Sequence, residues 1–198
     1  MPPNITDEEI IALYKNGTEE AFKGLISRYT FPLYNFVARL TDRNNASDVV
    51  QETFIKVWKN LRNFDSSKAS FKTWIFTIAK NTATDFLRKK KSLVFSDMPA
   101  RNAFGIADAG GGENEGDSFS ENIPDEKLLP DEALQRLQDS DLLNKVLDKL
   151  PIYYKIILVL HYQEDMTFDE IGKVLDKPLN TVKSQHRRAI TLLRKMLD

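Results

Sequence analysis

The chain has 198 residues, 41% of them hydrophobic, which is enough for one or two packed domains. It contains no cysteine, so disulfides and thiolate chemistry are excluded and a reducing compartment is expected. The net charge of −1 conceals an uneven distribution, because residues 1–91 carry +5, residues 92–139 carry −8 and residues 140–198 carry +2. Two mildly basic ends around an acidic middle indicate nucleic-acid contact at the ends.

No stretch of the sequence is suited to crossing a membrane, because the apolar run "IILVL" at 156–160 is far shorter than a bilayer-spanning helix. The first ten residues lack a cationic start followed by an apolar segment, so no secretory signal is expected. We therefore expect a cytoplasmic protein without membrane insertion.

Helical signals run through the first half of the chain. Thr6 followed by Glu9 forms a capping-box pattern for a first helix, which Gly17 ends, and Thr18 is expected to cap the next helix. Pro32 is expected to bend or interrupt that second helix. The longer helices predicted here are 21–40, 46–61 capped by Asn45, and 71–91 capped by Ser70.

The predicted helix over 46–61 has two distinct faces. One is an apolar core stripe of Ala46, Val49, Val50, Val57 and Leu61. The second face mixes acidic, amide and aliphatic side chains, which suits docking onto a partner helix that has basic and apolar residues. A merely solvated face is the alternative, and the residues alone leave both open. The side chains of the second face are Asp48, Gln51, Glu52 and Ile55.

The predicted helix over 71–91 combines core positions with polar and basic ones. Its last four residues, 88–91, are all cations, and part of that charge complements the helix dipole. Amide, hydroxyl and cationic groups together also suit single-stranded nucleic acid, and the polar loop 62–70 beside them could receive a flipped base. Core positions are expected at Phe71, Ile75, Ile78 and Phe86, and polar ones at Lys80, Asn81, Thr84, Asp85 and Arg88.

The acidic middle of the chain is predicted to be a linker. Its segment "FGIADAGGGENEGDSFSENIPDE" at 104–126 has few apolar residues and cannot offset its ordering entropy by burial. We expect an all-α protein with a helical domain over 1–95, a flexible acidic linker over 96–137 and a second helical domain over 138–198.

The second half of the chain begins with helices predicted over 141–150 and, after Pro151, over 152–163. Thr167 and Glu170 form another capping box, which opens a helix over 168–176. A tight turn then leads into a strongly basic helix. A short helix, a tight turn and a cationic second helix are the pattern of a helix-turn-helix that binds DNA.

The last helix separates its faces. Val182, Ala189, Leu193 and Leu197 form an inward stripe. Arginine pairs in bidentate fashion with guanine or phosphate, while lysine mainly supplies charge. A solvated amphipathic helix is the alternative interpretation. The outward face carries Ser184, Arg187, Arg188 and Thr191. Thr181 and Lys183 lie in the first turn, where a recognition helix usually meets bases and phosphates.

His186 interrupts the inward stripe of the last helix. A partly buried, hydrogen-bonded histidine is the favoured interpretation over a ligand or a pH sensor. The chain has only one other histidine, His161, and no cysteine, so a zinc site of the usual type has too few ligands. No metal and no cofactor is expected.

Two segments carry a family resemblance. "ASDVVQETFIKVWKNLRNFD" followed by "FKTWIFTIAKNTATDFLRKK" resembles region two of bacterial sigma factors of the extracytoplasmic-function (ECF) group. "LDKLPIYYKIILVLHYQEDMTFDEIGKVLDKPLNTVKSQHRRAITLLRKML" resembles their region four. The resemblance implies a sigma factor that lends promoter recognition and strand opening to core RNA polymerase and has no catalytic residues of its own.

The resemblance also implies roles for matching positions. Asp48, Gln51, Glu52, Ile55 and Trp58 stand where the family docks on the clamp helices of the largest polymerase subunit, and region four is expected to meet the flap of the second-largest. Lys80, Asn81, Thr84, Asp85 and Arg88 would face the minus-ten element, and Thr181, Lys183, Ser184, Arg187 and Arg188 the minus-thirty-five element. Asn180 stands where the group often has Gly, and the resemblance implies an anti-sigma factor as a further partner.

Two other functions compete with this interpretation. A free-standing repressor or activator would use only the last domain, and would leave the acidic face of 46–61 and the polar positions of 71–91 unexplained. A metal-dependent nuclease would need acids clustered with histidines, or a phosphate-cradling Gly loop, and the sequence shows neither pattern.

Overall fold

The computed structural model describes residues 5–94, 147 and 149–197, and the described part is helical throughout. The predicted linker over 96–137 and most of the predicted helix over 141–150 lie outside these residues. Short 3₁₀ turns at Glu19–Ala21 and Leu61–Asn63 follow the first and third helices. The helices are α1 Asp7–Lys15, α2 Phe22–Leu40, α3 Arg43–Asn60, α4 Phe71–Val94, α5 Ile152–Tyr162, α6 Phe168–Leu175 and α7 Leu179–Leu197.

The start of α1 confirms the predicted capping box, because the side chains of Thr6 and Glu9 each accept from the other's backbone N–H. Gly17 ends the segment with a φ of 99°, a conformation that favours glycine. The prediction for Thr18 was wrong. Its side chain makes no capping hydrogen bond, because the chain enters a 3₁₀ turn there before α2 begins.

Two further boundary predictions need correction. The cap of α3 is Asp42 and not Asn45, since the Asp42 side chain accepts from the Asn45 N–H at 3.1 Å and Asn45 already lies inside the helix. Pro32 does not interrupt α2, which continues to Leu40. Ser70 does cap α4, where its Oγ accepts from the Thr73 N–H at 3.2 Å.

Aromatic side chains form much of the core of the first half, where α2, α3 and α4 pack together. Phe36 on α2 and Phe76 on α4 are fully buried, with ring centroids 5.2 Å apart in an edge-to-face arrangement. Phe71 lies between Tyr29 at 5.3 Å and Phe64 at 5.7 Å. The predicted core stripe of α3 is confirmed, because its five residues are all buried.

The second half is the predicted helix-turn-helix unit of α6 and α7, packed on α5. Both members of the Thr167–Glu170 capping box are present. Asp176 adopts the left-handed conformation that ends α6, while Asn180 lies within α7. The left-handed residue that the turn needs is therefore four positions earlier than Asn180.

The two halves pack against each other, which the sequence did not indicate. α2 contacts α5, α4 contacts α6, and a single cluster of buried apolar residues runs through both halves. We call the packing of α4 on α6, together with the Lys72–Glu164 pair beside it, the interdomain contact. The helices of both halves thus contribute to one shared cluster, while a second, smaller cluster lies within the second half and consists of Leu147, Leu150, Leu158, Ala189, Ile190 and Leu193.

The cap of α3 gives a test of this description. Asp42→Ala should lower the free energy of unfolding by about 1 kcal/mol, because the Asn45 N–H loses its acceptor. Thr18→Ala is the matched control and should be close to neutral, because Thr18 forms no side-chain cap. Urea unfolding followed by circular dichroism measures both, and equal losses would contradict the cap assignment.

Candidate functional site

The solvent face of α3 carries a continuous row of acidic, amide and apolar side chains. Asp48, Gln51 and Glu52 are exposed. Ile55 and Trp58 continue the same side of the helix and keep 41% and 49% of their surface exposed. The opposite side of α3 is buried in the core, so this row is held by a rigid helix and faces outward.

The five predicted minus-ten residues lie along α4 but are not equally accessible. Asn81 and Arg88 are exposed, whereas Lys80, Thr84 and Asp85 are half-buried. The Thr84 hydroxyl donates to the Lys80 carbonyl at 2.7 Å, and Arg88 pairs with Asp85 at 3.1 Å. Three of these side chains, Thr84, Asp85 and Arg88, are therefore engaged within their own helix, and a ligand would meet mainly Asn81 and the outer edge of the guanidinium.

Lys80 is half-buried at the interdomain contact. Burial lowers the pKa of its ammonium group, and the nearby carboxylate of Asp176 opposes that shift. Asp176 is the residue that ends α6, so a side chain of the first half lies against the second half. In this arrangement Lys80 is only partly available to a ligand.

The first three turns of α7 present an exposed cationic face. Lys183, Arg187 and Arg188 are exposed and, within the described chain, form no ion pair. Thr181 is half-buried, and its carbonyl accepts from the Ser184 hydroxyl at 2.9 Å. The face thus offers three free cations and a serine oxygen that can still accept a hydrogen bond.

A close approach between backbone atoms fixes the turn between α6 and α7. The Lys177 N–H donates to the Gly172 carbonyl at 2.9 Å. A Cβ atom on Gly172 would lie 2.8 Å from the Lys177 carbonyl oxygen, closer than real contacts allow. Glycine at this position therefore sets how tightly the turn folds back, and with it the angle at which α7 leaves α6.

His186 is the partly buried, hydrogen-bonded histidine that the sequence favoured. Its Nε2 lies 3.1 Å from the Tyr162 hydroxyl, and its ring centroid lies 5.3 Å from that of His161. His161 stacks on Phe168 at 4.4 Å. These four rings hold α7 against α5 and α6. No group of three or more potential metal ligands occurs among the described residues.

Sequence reasoning missed the residues that join the halves. The Lys72 ammonium group donates to the Glu164 carbonyl and lies 3.8 Å from Glu164 Oε2. The two residues are 92 positions apart, and neither belongs to a motif, so no local pattern could have revealed the pair. Glu164 is only 7% exposed, although glutamate side chains in proteins usually lie at the surface, so its burial was not expected from the sequence.

Comparison with known proteins identifies both halves. Residues 25–93 match the family model "Sigma-70 region 2", and residues 140–193 match the model "Sigma-70, region 4". The chain is 32% identical over 184 residues to the ECF RNA polymerase sigma factor SigW of Bacillus subtilis (strain 168), covering 92% of each chain. The chain belongs to the ECF sigma factors.

Other relatives of this sigma factor give the same assignment. It is 29% identical over 193 residues to the ECF RNA polymerase sigma-E factor of Escherichia coli (strain K12), covering 96% of this chain and 93% of the relative. Its fold is similar to that of CnrH, solved in complex with the cytosolic domain of CnrY, with a TM-score of 0.63, 21% identity and 97% coverage of both chains.

Membership of the family establishes the function at the level of the whole chain. As a sigma factor, the protein directs promoter-specific transcription initiation with RNA polymerase and recognises minus-ten and minus-thirty-five elements. Sigma factors are transcription regulators. We refer to the two halves as region 2, which contains α1–α4, and region 4, which contains α5–α7.

The turn at Gly172 gives a test of the helix-turn-helix geometry. Gly172→Ala should lower the free energy of unfolding by about 1–3 kcal/mol, because the added methyl group is forced against the Lys177 carbonyl. Lys173→Ala, at the adjacent exposed position, is the matched control and should change stability little. Differential scanning calorimetry compares the two, and an unchanged melting temperature for Gly172→Ala would contradict this geometry.

Proposed function

We propose that this sigma factor uses three helix faces to contact polymerase and the two promoter elements. We also propose that its domains span 1–95 and 138–198, with the acidic linker 96–137 between them. The exposed row of α3 binds core polymerase. The polar side of α4 binds the minus-ten element, and the start of α7 binds the minus-thirty-five element. The observation that carries the proposal is the exposure of Asp48, Gln51 and Glu52, which leaves them free for a partner.

The composition of the α3 row supports a protein partner. An exposed tryptophan beside an isoleucine provides a large apolar contact, and tryptophan is enriched at the energetic centres of interfaces. The acids around it add charge complementarity, which governs the association rate and the choice of partner. We therefore assign Asp48, Gln51, Glu52, Ile55 and Trp58 to the clamp helices of the largest polymerase subunit. Region 4 is assigned to the flap of the second-largest subunit.

The side of α4 suits melted DNA. The amide of Asn81 can bond to the edge of an unpaired base, and Arg88 and Lys80 can meet the strand's phosphates. The Thr84 hydroxyl and the Asp85 carboxylate help to position these groups through their bonds within the helix. We assign all five residues to the minus-ten element and its single strand.

The start of α7 suits the major groove. Lys183, Arg187 and Arg188 are free cations on an exposed helix face, and the N-terminal part of a recognition helix is where base contacts are made. Ser184 adds an acceptor, and Thr181 supports it from the helix start. We assign these five residues to the minus-thirty-five element.

An anti-sigma factor is a further proposed partner. Structural neighbours were solved as CnrH with the cytosolic domain of CnrY, and as RpoE with the anti-sigma factor NepR from Bartonella quintana. This chain is proposed to have a counterpart of that kind. It is proposed to act in the cytoplasm and to catalyse no reaction of its own. No helix within the described residues has the length and apolarity needed to cross a membrane.

The α3 row gives a test of the polymerase assignment. Trp58→Ala and Glu52→Ala should each weaken binding of the full chain to core polymerase about tenfold, because each removes a contact worth about 1–2 kcal/mol. Phe31→Ala is the matched control, because Phe31 is 72% exposed on α2 and lies outside the row. Competition for core polymerase against a labelled wild-type chain measures all three. Equal affinities across the set would refute the assignment.

The α7 face gives a test of the minus-thirty-five assignment. Arg187→Ala should reduce run-off transcription from the cognate promoter and make promoter binding by the holoenzyme less sensitive to salt, because a cationic contact to DNA is lost. Lys173→Ala removes an exposed cation from α6, where it pairs with Asp169, and should leave both quantities unchanged. If the two variants had the same transcription and the same salt dependence, α7 would not be the recognition helix.

A further inference from the structure

The end of α1 contacts the segment 62–70 that precedes α4, which we call the 62–70 loop. The Lys15 ammonium group, in the last turn of α1, donates to the backbone carbonyl of Phe64 at 2.7 Å. The ring of the neighbouring Tyr14 is buried, and the Arg62 guanidinium lies over it, 6.0 Å from the ring centroid. Two adjacent side chains of α1 therefore hold the first residues of the loop.

The start of α1 is tied to the same loop through buried aromatic rings. Asp7, in the first turn of α1, accepts a hydrogen bond from the Tyr29 hydroxyl. The Tyr29 ring packs edge-to-face on Phe71 at 5.3 Å, and Phe71 packs edge-to-face on Phe64 at 5.7 Å. Both ends of α1 thus restrain Phe64, one through its carbonyl and the other through its ring.

The tip of the 62–70 loop is a closed turn. The Asp65 carboxylate accepts from the Ser67 N–H at 3.0 Å and from the Ser67 hydroxyl at 2.7 Å, and the Lys68 N–H donates to the Asp65 carbonyl at 3.2 Å. The hydrogen bonds from Ser67 lower the pKa of Asp65, as do two nearby lysines to a smaller extent. The side chains of residues 65–68 are all exposed, so the turn presents hydroxyl and charged groups in a defined arrangement.

The 62–70 loop lies at the beginning of the α4 face proposed for minus-ten DNA. The Phe64 ring packs on Trp74, with ring centroids 5.0 Å apart. Trp74, Asn81 and Arg88 follow each other at intervals of two helical turns and therefore lie on one side of α4. Asn81 is about 10 Å from Trp74 along the helix axis, which is about the length of three stacked bases. A single strand that contacts Asn81 can thus also reach the loop.

We propose that α1 positions the 62–70 loop for base recognition, and that Lys15 is the positioning residue. Its bond to the Phe64 carbonyl holds the turn where the exposed hydroxyls at the tip meet the polar edge of one base in the melted minus-ten strand. A hydroxyl distinguishes bases only while its distance and direction are fixed, because hydrogen bonds weaken steeply when misaligned. The proposal rests on the proposed binding of that strand by region 2.

Replacement of Lys15 tests the proposal in the holoenzyme, assembled from core polymerase and the full chain. Fluorescent single strands of the minus-ten region, with each base replaced in turn, give the ratio of dissociation constants for altered and unaltered strands. A replaced base that the protein reads should weaken wild-type binding about tenfold. Lys15→Met removes the donor and should lower that ratio to about twofold at one base or two adjacent bases, with the other ratios unchanged. Wild-type ratios at every base would overturn the proposal.

Matched variants separate positioning from charge and from stability. Lys23→Met removes another exposed lysine of region 2, which pairs with Glu20, and should leave every ratio unchanged. Lys15→Arg keeps a donor and should restore discrimination. Lys15→Gln, whose amide is one atom too short to reach the Phe64 carbonyl, takes the place of Lys15→Met if that variant fails to fold. Equal losses in Lys15→Met and Lys23→Met would indicate a general charge effect and overturn the proposal.

Amide hydrogen exchange, measured by NMR on the full chain, tests whether Lys15 holds the loop. Exchange at the Ser67 and Lys68 amides should be faster in Lys15→Met, because the hydrogen bonds of the turn open more often. The rest of region 2 should exchange as in the wild-type chain. Unchanged exchange at both amides would show that the turn does not depend on α1, and would overturn the positioning role.

Asn81→Ala, in the same strand-binding assay, separates this proposal from the assignment of the α4 face. If Asn81→Ala weakened binding while Lys15→Met kept full discrimination, the positioning role alone would fail. If Asn81→Ala had no effect while Lys15→Met lost discrimination at one base, the α4 assignment would fail and the positioning role would stand.

Discussion

The burial of one side of α4 is the constraint on which the rest of the molecule depends. Phe71 and Phe76 are locked among aromatic rings from α2 and from the loop before α4, and this fixes the rotation of α4 about its axis. Once that side is committed to the core, Asn81 and Arg88 must face outward. The same packing turns the apolar stripe of α3 inward, so its acidic row is presented to solvent on a rigid support.

In region 4, too, the packing of a few residues fixes which side of a helix faces solvent. Gly172 lets α6 and the following turn approach closely, and the His161, Phe168 and His186 rings fill the space beneath α7. The polar ring of His186 is accommodated in this apolar surrounding because its ring nitrogen meets the Tyr162 hydroxyl. The cations of α7 are left on the outer face, where within the described chain they have no carboxylate partner.

Predictions from the sequence are correct where one short-range interaction determines the local structure. Both capping boxes and the core stripe of α3 follow from short-range patterns, and the structure confirms them. Asp42 and Asn45 are both residue types that cap helices, and only the extended backbone at Asp42 decides between them. The helix-turn-helix pattern alone predicts that α7 contacts DNA, whereas the assignments to polymerase and to particular promoter elements follow from the family resemblance. The pairing of Lys72 with Glu164 could not be predicted, because it depends on how two distant segments pack.

The central claim is that α3 presents an exposed row of side chains and that core polymerase covers this row. Side-chain footprinting is the most direct test of this claim. Hydroxyl-radical oxidation followed by mass spectrometry should label Trp58 and Phe31 in the free chain, because both are exposed. Addition of core polymerase should protect Trp58 and leave Phe31 labelled. If Trp58 were oxidised equally with polymerase bound, the row on α3 would not be the polymerase-binding surface.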